Sequence, residues 1–308
     1  MLILKPIAHE TIWGGEKLKP YAQTDAKRVG HLYGLFDDVS GSCNEIANGA
    51  LKGQSFHTFF EENKGKYGLS QFSHFPLVIC LVEAQEALSV QVHPDDECAR
   101  RLESVQWGKN ESWYFLEAPA SGSIYCGCTA ENVSEVRKLL REDRIDLVTA
   151  RLPIHQGDYV FIPAGTLHSM SAGSLVYEIE ENSEFTYRFF DFNRKDAEGN
   201  TRELHIEKAL QALKPENRPS ARRYEADQER VGASREIRER MYATQLLSGL
   251  PAYRNASETL EVLTILDPSA DFIEEGVRIR MGTSLVLLPG EEVPLYGKKA
   301  MMARPSAL

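Results

Sequence analysis

The amino-acid sequence predicts a mainly β fold that is built on an antiparallel barrel. Strand-like runs dominate the chain, and the stretches between many of them are short and marked by Gly or Pro, as expected for antiparallel neighbours. In addition, a pattern that runs from a glycine through an apolar stretch to a Pro/Gly turn occurs twice, at residues 157–165 and 282–290. A doubly wound sheet would instead need a long crossover between its parallel strands.

The strand-like runs fall into two groups, and β-branched or aromatic residues are frequent in both. The first group comprises residues 77–82, 87–92, 112–117, 157–162 and 175–180. The second group comprises residues 260–265 and 277–280 together with the repeated pattern at 282–290. We therefore expect two domains, a larger one at residues 1–235 and a smaller β domain at residues 236–308.

Four helices are expected to interrupt the strands, at residues 55–64, 94–103, 129–140 and 206–213. Ser55 is a predicted N-cap, because its hydroxyl can accept a hydrogen bond from a backbone N–H of the first turn. Pro94 stands at the predicted start of the second helix, where its missing N–H costs nothing. The polar, highly charged stretch 215–240 is interpreted as a connection or a partly helical surface segment.

Composition and charge restrict the possible partners and the compartment. The chain has 308 residues and a net charge of -10, which argues against nucleic acid and anionic membranes as partners. Its five cysteines form no disulfide framework, so we expect reduced thiols and a cytoplasmic protein. The tight pair Cys126 and Cys128 is interpreted as structural. We expect no membrane span and a monomer or weak homodimer.

Two imidazoles, one carboxylate and one amide are predicted to converge on a divalent metal. Gln91 and His93 occupy alternate positions of a predicted strand and so share one face. Glu111 precedes the aromatic run 113–116, interpreted as the adjacent strand, and His168 starts the strand after a Pro-x-Gly turn. This ligand set suits zinc with an open catalytic position, although it could also hold iron, manganese or cobalt.

The order and spacing of these residues make the joint pattern informative. Each histidine or glutamate alone is more often an ordinary hydrogen-bonded or solvated residue. However, Gly157, Pro163-x-Gly165 and His168 have the spacing of the second metal motif of the cupin barrel, with Gln-x-His and Glu upstream. We therefore expect a cupin-type jelly roll with helical insertions. The second pattern ends in Glu291-Glu292 without a histidine, which predicts a metal-free, cupin-like C-terminal domain.

Several motifs together resemble the type I mannose-6-phosphate isomerases (phosphomannose isomerases) of the cupin superfamily, and most closely their short bacterial form. The resemblance covers nearly the whole chain. The matching motifs are Trp13-Gly14-Gly15, Ala47-Asn48-Gly49, Leu51-Lys52-Gly53, residues 87–96, residues 161–168, Tyr177-Glu178-Ile179, residues 182–188 and Arg202-Glu203-Leu204-His205. Two segments depart from the family pattern: Gly30-His31-Leu32-Tyr33-Gly34, and Cys80 where the family usually has a lysine.

The resemblance implies a zinc-dependent aldose–ketose isomerase. It assigns one zinc ion per chain to Gln91, His93, Glu111 and His168, and it makes residues 1–235 the catalytic domain. Arg188 matches the active-site arginine of the family, and Lys109 matches a lysine of the substrate pocket. The substrate would be a phosphorylated hexose, and the local positive charge for its phosphate is available from Lys109, Arg188, Arg194 and Arg202.

The implied reaction interconverts mannose 6-phosphate and fructose 6-phosphate through a cis-enediol, which requires a base near C1 and C2. Glu178 is a candidate base by its strand position, and a metal-bound water is the rival. Two other classes stay open at this point. They are a cupin dioxygenase that uses iron in the same ligand set, and a non-catalytic sugar-binding or regulatory cupin. A dioxygenase would not need a phosphate-binding lysine and arginine.

Overall fold

A computed structural model describes residues 1–38, 41–142, 144–195, 198–225 and 232–306. The predicted fold class is confirmed, because β-strands dominate the structure. The chain forms two compact units that are interleaved in sequence. The terminal unit comprises Met1–His9, Glu16–Leu81 and Tyr224–Leu308, and the central unit comprises Glu10–Gly15 and Val82–Arg223.

The described strands are β1 (Leu2–Ile3), β2 (Ile7–His9), β3 (His31–Leu35), β4 (Leu77–Ala84), β5 (Val90–Val92), β6 (Glu111–Glu117), β7 (Ser123–Cys128), β8 (Thr149–Pro153), β9 (Asp158–Ile162), β10 (His168–Ser169), β11 (Ser174–Glu181), β12 (Tyr187–Phe190), β13 (Ala221–Arg223), β14 (Ile237–Arg238), β15 (Tyr242–Leu247), β16 (Ala252–Arg254), β17 (Glu261–Ile265), β18 (Asp271–Glu274), β19 (Val277–Arg280), β20 (Ser284–Leu287), β21 (Glu292–Pro294) and β22 (Ala300–Pro305). The helices are α1 (Phe56–Asn63), α2 (Asp96–Glu103), α3 (Val133–Arg141) and α4 (Ile206–Ala212). Short 3-10 helices cover Lys19–Tyr21, Gly49–Leu51, Lys64–Tyr67 and Ile145–Leu147.

The central unit contains two antiparallel sheets. One has the strand order β12–β5–β10–β7–β8, and in the other β13, β9, β6 and β11 are neighbours in that order. In the first sheet, His168 of β10 lies opposite Gln91 of β5 on one side and Cys126 of β7 on the other. In the second sheet, Glu111 of β6 lies between Ile162 of β9 and Glu180 of β11.

Alternation along the strands decides which face of the first sheet carries polar groups. Val90 and Val92 of β5 belong to an apolar cluster that also includes Tyr187 and Phe189 of β12. Helices α3 and α4 cover this face through residues such as Val136, Ala209 and Leu210. Because neighbouring strand residues point to opposite faces, Gln91 and Arg188 are directed to the other face, away from the helices.

The terminal unit is built on a six-stranded sheet with the order β1–β20–β17–β22–β15–β14. Its core contains Ile3 of β1, Leu263 and Ile265 of β17, and Leu285 and Leu287 of β20. The N-terminal strand therefore completes a sheet whose other members come from the end of the chain. The repeated sequence pattern recurs in backbone conformation too, because its two closing glycines, Gly165 and Gly290, have φ values of 85° and 83°.

Several sequence-based expectations need correction. Helix α2 begins at Asp96, because the Asp95 side chain accepts the N–H of Cys98 and so caps it, which leaves Pro94 outside. Strand β5 begins only at Val90. The described part of the stretch 215–240 forms β13 and β14 and no helix, and residues 226–231 lie outside the described residues. The strand of Glu111 is not the neighbour of β5 but belongs to the other sheet.

Of two other expectations about the elements, one is confirmed and one stays a prediction. Ser55 is confirmed as the N-cap of α1, since its side chain accepts the N–H of Thr58. The division into a catalytic domain at residues 1–235 and a C-terminal domain at residues 236–308 stays a prediction. The compact units group residues by contact, and one of them joins both ends of the chain.

Candidate metal centre

Both sheets of the central unit contribute side chains to one cluster, in which His93, Glu111 and His168 are buried. Gln91 belongs to β5, His93 follows directly after β5, Glu111 opens β6 and His168 opens β10. The two oxygens of the Glu111 carboxylate lie 3.2 Å from His93 Nε2 and 3.2 Å from His168 Nε2. The Gln91 amide nitrogen lies 3.3 Å from His168 Nε2. The structure thus brings together all four residues that the sequence singled out as metal ligands.

Hydrogen bonds to backbone carbonyls orient both imidazoles. His93 Nδ1 lies 2.9 Å from the Phe185 carbonyl oxygen, and His168 Nδ1 lies 2.9 Å from the Thr166 carbonyl oxygen. Only a protonated Nδ1 can donate to a carbonyl, so a neutral imidazole here has its lone pair on Nε2. Outer hydrogen bonds of this kind typically fix the tautomer of metal-binding histidines. In that neutral form, the Nε2 lone pair of each imidazole is available beside the Glu111 carboxylate.

The donor set fits a cation better than it fits an ordinary hydrogen-bond network. His93 Nε2 and Glu111 Oε1 are buried and make no hydrogen bond of acceptable geometry. Burial, together with the charge of Lys109, lowers the pKa of His93 to about 4, so this imidazole is neutral at pH 7. Burial alone would raise the pKa of Glu111, but the facing imidazoles hold it well below its ordinary value. A carboxylate that faces two imidazole nitrogens is the arrangement expected around a divalent cation.

The amide of Gln91 can complete this set. Its oxygen accepts a hydrogen bond from Ser89 Oγ at 3.3 Å, while its nitrogen is the atom nearest to His168. A rotation of the amide by 180° exchanges the two atoms and directs the oxygen towards the imidazole Nε2 atoms. Among the described residues, the side-chain groups spaced for metal binding include His93, Glu111 and His168 but no cysteine. Burial raises the pKa of Cys126 to about 12, which agrees with a structural role for that thiol.

A second carboxylate cluster adjoins the first. Glu178 and Glu180 lie at alternate positions of β11 and therefore face the same way as Glu111. One oxygen of each of these three carboxylates lies within 4.8 Å of the others. Glu178 accepts a 2.6 Å hydrogen bond from Trp113 Nε1. Burial, followed by the charges of Glu180 and Glu111, raises the pKa of Glu178 to about 8.

Lys109 supplies positive charge to these carboxylates. It forms an ion pair with Glu180, and its Nζ lies 3.9 Å from Glu111 Oε2. Burial opposes its charge, but the neighbouring carboxylates Glu180 and Glu111 raise the pKa of Lys109 above its ordinary value. Lys109 lies two residues before strand β6, which begins at Glu111. Glu180 is not among the residues predicted from the sequence, although the Glu178-x-Glu180 alternation within an apolar strand could have revealed it.

Arg188 lies opposite Gln91 on the neighbouring strand β12, so the two side chains share one face. Arg188 is half-buried, and burial, together with the charge of Arg202, lowers its pKa. Arg194 and Arg202 are the other predicted sources of positive charge for a phosphate. Both bind Asp191, with Arg202 in a two-point contact at 2.7 Å and 2.6 Å. Asp191 therefore partly neutralises the charges of Arg194 and Arg202. Arg188 does not form such a contact with Asp191.

The Pro-x-Gly turn before His168 connects the ligands through its backbone. The N–H of Gly165 donates to the His93 carbonyl oxygen at 2.8 Å. The N–H of Ala164 donates to the side-chain oxygen of Asn110, the neighbour of Glu111, at 2.8 Å. The turn thus links the backbone segments that carry His93, Glu111 and His168.

We expect Gly165→Ala to destabilise the fold and the metal centre together. Gly165 has φ +85°, and an added Cβ would lie 2.7 Å from Lys214 Cγ and 3.0 Å from the Ala212 carbonyl oxygen. The left-handed conformation costs about 1–2 kcal/mol for a non-glycine residue, and overpacking adds about 1–3 kcal/mol. Denaturant unfolding and metal content measure the effect. Gly53→Ala is the control, because its φ is +91° with nothing within 4 Å. Equal losses in both variants would contradict the steric argument.

No helix among the described residues has the length and apolar character that a membrane span requires. The predicted cytoplasmic location and oligomeric state stay predictions.

Comparisons with known proteins point to one family. Residues 1–114 match the family described as phosphomannose isomerase type I, catalytic domain. The chain is 33% identical over 213 residues to mannose-6-phosphate isomerase ManA of Bacillus subtilis (strain 168), which covers 69% of this chain and 67% of that protein. It is 33% identical over 221 residues to mannose-6-phosphate isomerase of Streptococcus mutans serotype c. That alignment covers 70% of this chain and 69% of the Streptococcus protein.

Solved structures agree with these sequence matches. The crystal structure of the mannose 6-phosphate isomerase from Bacillus subtilis superposes with a TM-score of 0.86 at 25% identity, and 98% of each chain is covered. A variant of phosphomannose isomerase from Salmonella typhimurium superposes with a TM-score of 0.68 at 13% identity, with 98% of each chain covered. At that identity the second likeness concerns the fold alone.

Proposed function

The chain belongs to the type I mannose-6-phosphate isomerase family, and from this premise we propose that its central unit binds one zinc ion and interconverts mannose 6-phosphate and fructose 6-phosphate. The observation that carries the proposal is the Glu111 carboxylate, 3.2 Å from the Nε2 atoms of both His93 and His168. Gln91 would provide the fourth protein ligand. Two imidazoles, a carboxylate and a neutral oxygen suit zinc.

The proposed reaction moves a proton between C2 and C1 of the open-chain sugar through a cis-enediol. In the aldose-to-ketose direction, a base removes the proton from C2 and, once protonated, delivers a proton to C1, while the O2 hydroxyl proton moves to O1. Negative charge develops on the sugar oxygens during these steps. When bound, zinc would supply Lewis-acid stabilisation of that charge.

We assign the proton transfer to Glu178. Its carboxylate is buried beside Glu111, and the Trp113 indole N–H holds it in place. A base must lie within hydrogen-bond reach of the carbon-bound proton, and Glu178 is presented on the same face of β11 as Glu180, next to the metal ligands. Glu180 has a different role in this proposal, because its ion pair with Lys109 positions that ammonium group.

Arg188 would bind the developing oxyanion or another anionic group of the substrate. Its guanidinium is half-buried, on the face of the sheet that carries Gln91. A preorganised cation in a partly desolvated site stabilises transition-state charge more strongly than the same cation in water. Arg188 and Lys109 are the cationic groups at this site that could meet a phosphorylated hexose, and Glu180 already pairs with the Lys109 ammonium.

The two rival functions lack this support. An iron dioxygenase would use the same ligands, but it would have no use for a buried base together with two cationic groups. A non-catalytic sugar-binding protein would not need Glu178, a buried carboxylate placed among other carboxylates. The isomerase is therefore the function that the arrangement supports best.

An assay combined with metal analysis tests the proposal. Purified protein should contain about one zinc per chain after dialysis and should convert mannose 6-phosphate to fructose 6-phosphate. Exchange of the C2 proton with solvent, followed in deuterated water, would report the enediol step. Iron with oxygen consumption would favour the dioxygenase, and sugar binding without turnover would favour the non-catalytic protein.

We expect Lys109→Met to impair catalysis while metal stays bound. Loss of the ammonium removes a charge-assisted interaction worth about 1.5–3 kcal/mol, so turnover should fall or KM should rise by roughly one to two orders of magnitude. It also leaves Glu180 buried without its partner. The double variant Lys109→Met/Glu180→Gln therefore separates the two effects, because it should recover stability but not activity.

The matched control is Lys66→Met, which removes an exposed lysine whose ammonium binds Asn63. That variant should retain the parental kinetics. Parental kinetics in Lys109→Met would rule out a role in the substrate pocket. Full recovery of activity in the double variant would reduce Lys109 to a structural partner of Glu180.

A further inference from the structure

A second set of potential metal ligands lies in the terminal unit and has no part in the proposed isomerase site. Asp37 follows β3, His57 lies in the first turn of α1, and His74 lies in the loop before β4. Each of the three offers a ligand atom, and these atoms lie within 4.8 Å of one another. They come from three separate segments, so the tertiary fold assembles the cluster.

Asp37 forms the buried base of this cluster. The residue is 0% exposed, and its Oδ2 accepts the N–H of Phe75 at 2.7 Å. Its Oδ1 lies 2.8 Å from His57 Nδ1. The carboxylate is therefore held in one orientation by contacts to two of the segments, and Phe75 adjoins His74 in sequence. A fixed carboxylate of this kind loses little conformational freedom when it binds an ion.

The two imidazoles form the open side of the cluster. Their ring centroids are 4.8 Å apart with an interplanar angle of 31°. The His57 side chain is 34% exposed, and His74 is also partly exposed, so an ion in solution could reach them. His74 Nδ1 lies 3.2 Å from Ser73 Oγ, which leaves Nε2 for another partner. Glu61 lies one turn beyond His57 on the same side of α1, but its carboxylate is bound by Lys64 at 2.7 Å and is not counted as a ligand.

We propose that Asp37, His57 and His74 form a second metal site that takes a first-row transition ion such as Zn²⁺ in exchange with the solution. Two imidazoles and one carboxylate are a common ligand set for such ions, and solvent would fill the remaining positions. An Asp37–His57 ion pair that anchors α1 would account for two of the residues. That ion pair does not explain why the imidazole of His74 lies beside it, whereas a bound metal ion would explain all three residues.

The two proposed sites should differ in how readily they release metal. In the central unit His93, Glu111 and His168 are buried, whereas two of the three ligands in the terminal unit are partly exposed. The second ion should therefore exchange faster and be lost on dialysis. It should bind again when free zinc is restored.

Zinc titration of the full chain tests this proposal. Protein that has been dialysed to one zinc per chain is equilibrated with buffered Zn²⁺, separated rapidly from free metal and analysed by mass spectrometry of the metal. The parental protein should take up a second equivalent. His74→Gln should weaken that uptake at least tenfold, while the first zinc and the isomerase activity stay unchanged.

His155→Gln provides the matched control. His155 is an exposed imidazole whose Nδ1 lies 3.5 Å from Asp158 Oδ2, and this pair is absent from the clusters with three ligands. Its replacement should leave the second equivalent in place. The proposal is overturned if the parental protein takes up no second equivalent. It is equally overturned if His74→Gln retains that equivalent with unchanged affinity.

Thermal unfolding of the parental protein gives a readout that does not depend on a variant. Added Zn²⁺ should raise the unfolding temperature beyond that of the protein with one zinc, because an ion that binds only the folded state stabilises it. His57→Gln should show a smaller shift than the parental protein at the same free zinc. Equal shifts in His57→Gln and the parental protein would contradict the site.

Discussion

His93→Ala and His168→Ala are each expected to lose most of the bound metal and nearly all isomerase activity. Each imidazole presents its Nε2 atom 3.2 Å from the same carboxylate, and each is oriented by a backbone carbonyl. Removal of a hydrogen-bonding partner in the outer shell of a metal site typically costs about 10–100-fold in metal affinity or activity. The loss of a direct ligand should exceed that. Metal content after dialysis and turnover of mannose 6-phosphate measure both effects.

Two controls distinguish this result from general damage. His155→Ala removes a histidine whose side chain is 81% exposed and should change neither quantity. Joint replacement of Glu291 and Glu292 by alanine tests the predicted metal-free C-terminal domain, because residues 236–308 contain no histidine or cysteine. Full metal occupancy in both histidine variants would contradict the ligand assignment. Loss of a tightly held metal in the glutamate variant would contradict the metal-free domain.

Arg188→Ala is expected to retain its metal and its fold but to lose about two or more orders of magnitude in turnover. Arg188 is half-buried opposite Gln91, and Asp191 already binds Arg194 and Arg202. Oxyanion donors in other enzymes contribute about 2.7–4 kcal/mol, and a guanidinium that acts on transition-state charge should contribute a similar amount. Steady-state kinetics, with circular dichroism and metal analysis, measure the change.

Arg137→Ala is the control for this variant, because Arg137 is an arginine of the same unit whose ion pair with Glu207 lies on the surface. Its removal should leave turnover unchanged. Arg188→Lys should recover only part of the activity, since an ammonium cannot reproduce the planar, two-point contacts of a guanidinium. Turnover in Arg188→Ala equal to that of the parental protein would make Arg188 an ordinary strand arginine.

The sequence by itself was sufficient for many of the local features, although the predicted starts of α2 and β5 were wrong. Apolar runs rich in β-branched and aromatic residues identified several strands, the Ser55 N-cap was confirmed, and the spacing from Gly157 to His168 matches a strand, a turn and the next strand. These features depend on side-chain period and turn chemistry within a few residues of each other. The family resemblance, which rested on such motifs, agrees with the comparisons.

Tertiary structure decided how these segments meet. Glu111 reaches the two histidines from the opposite sheet and not from the neighbouring strand, and the Lys109–Glu180 ion pair was not evident from the sequence. The cluster of Asp37, His57 and His74 joins three segments that share no motif. Periodicity shows which face of a strand is polar, but it does not show which distant segment that face will meet. Contacts between distant segments depend on which sheet each strand joins, and only the folded chain determines that.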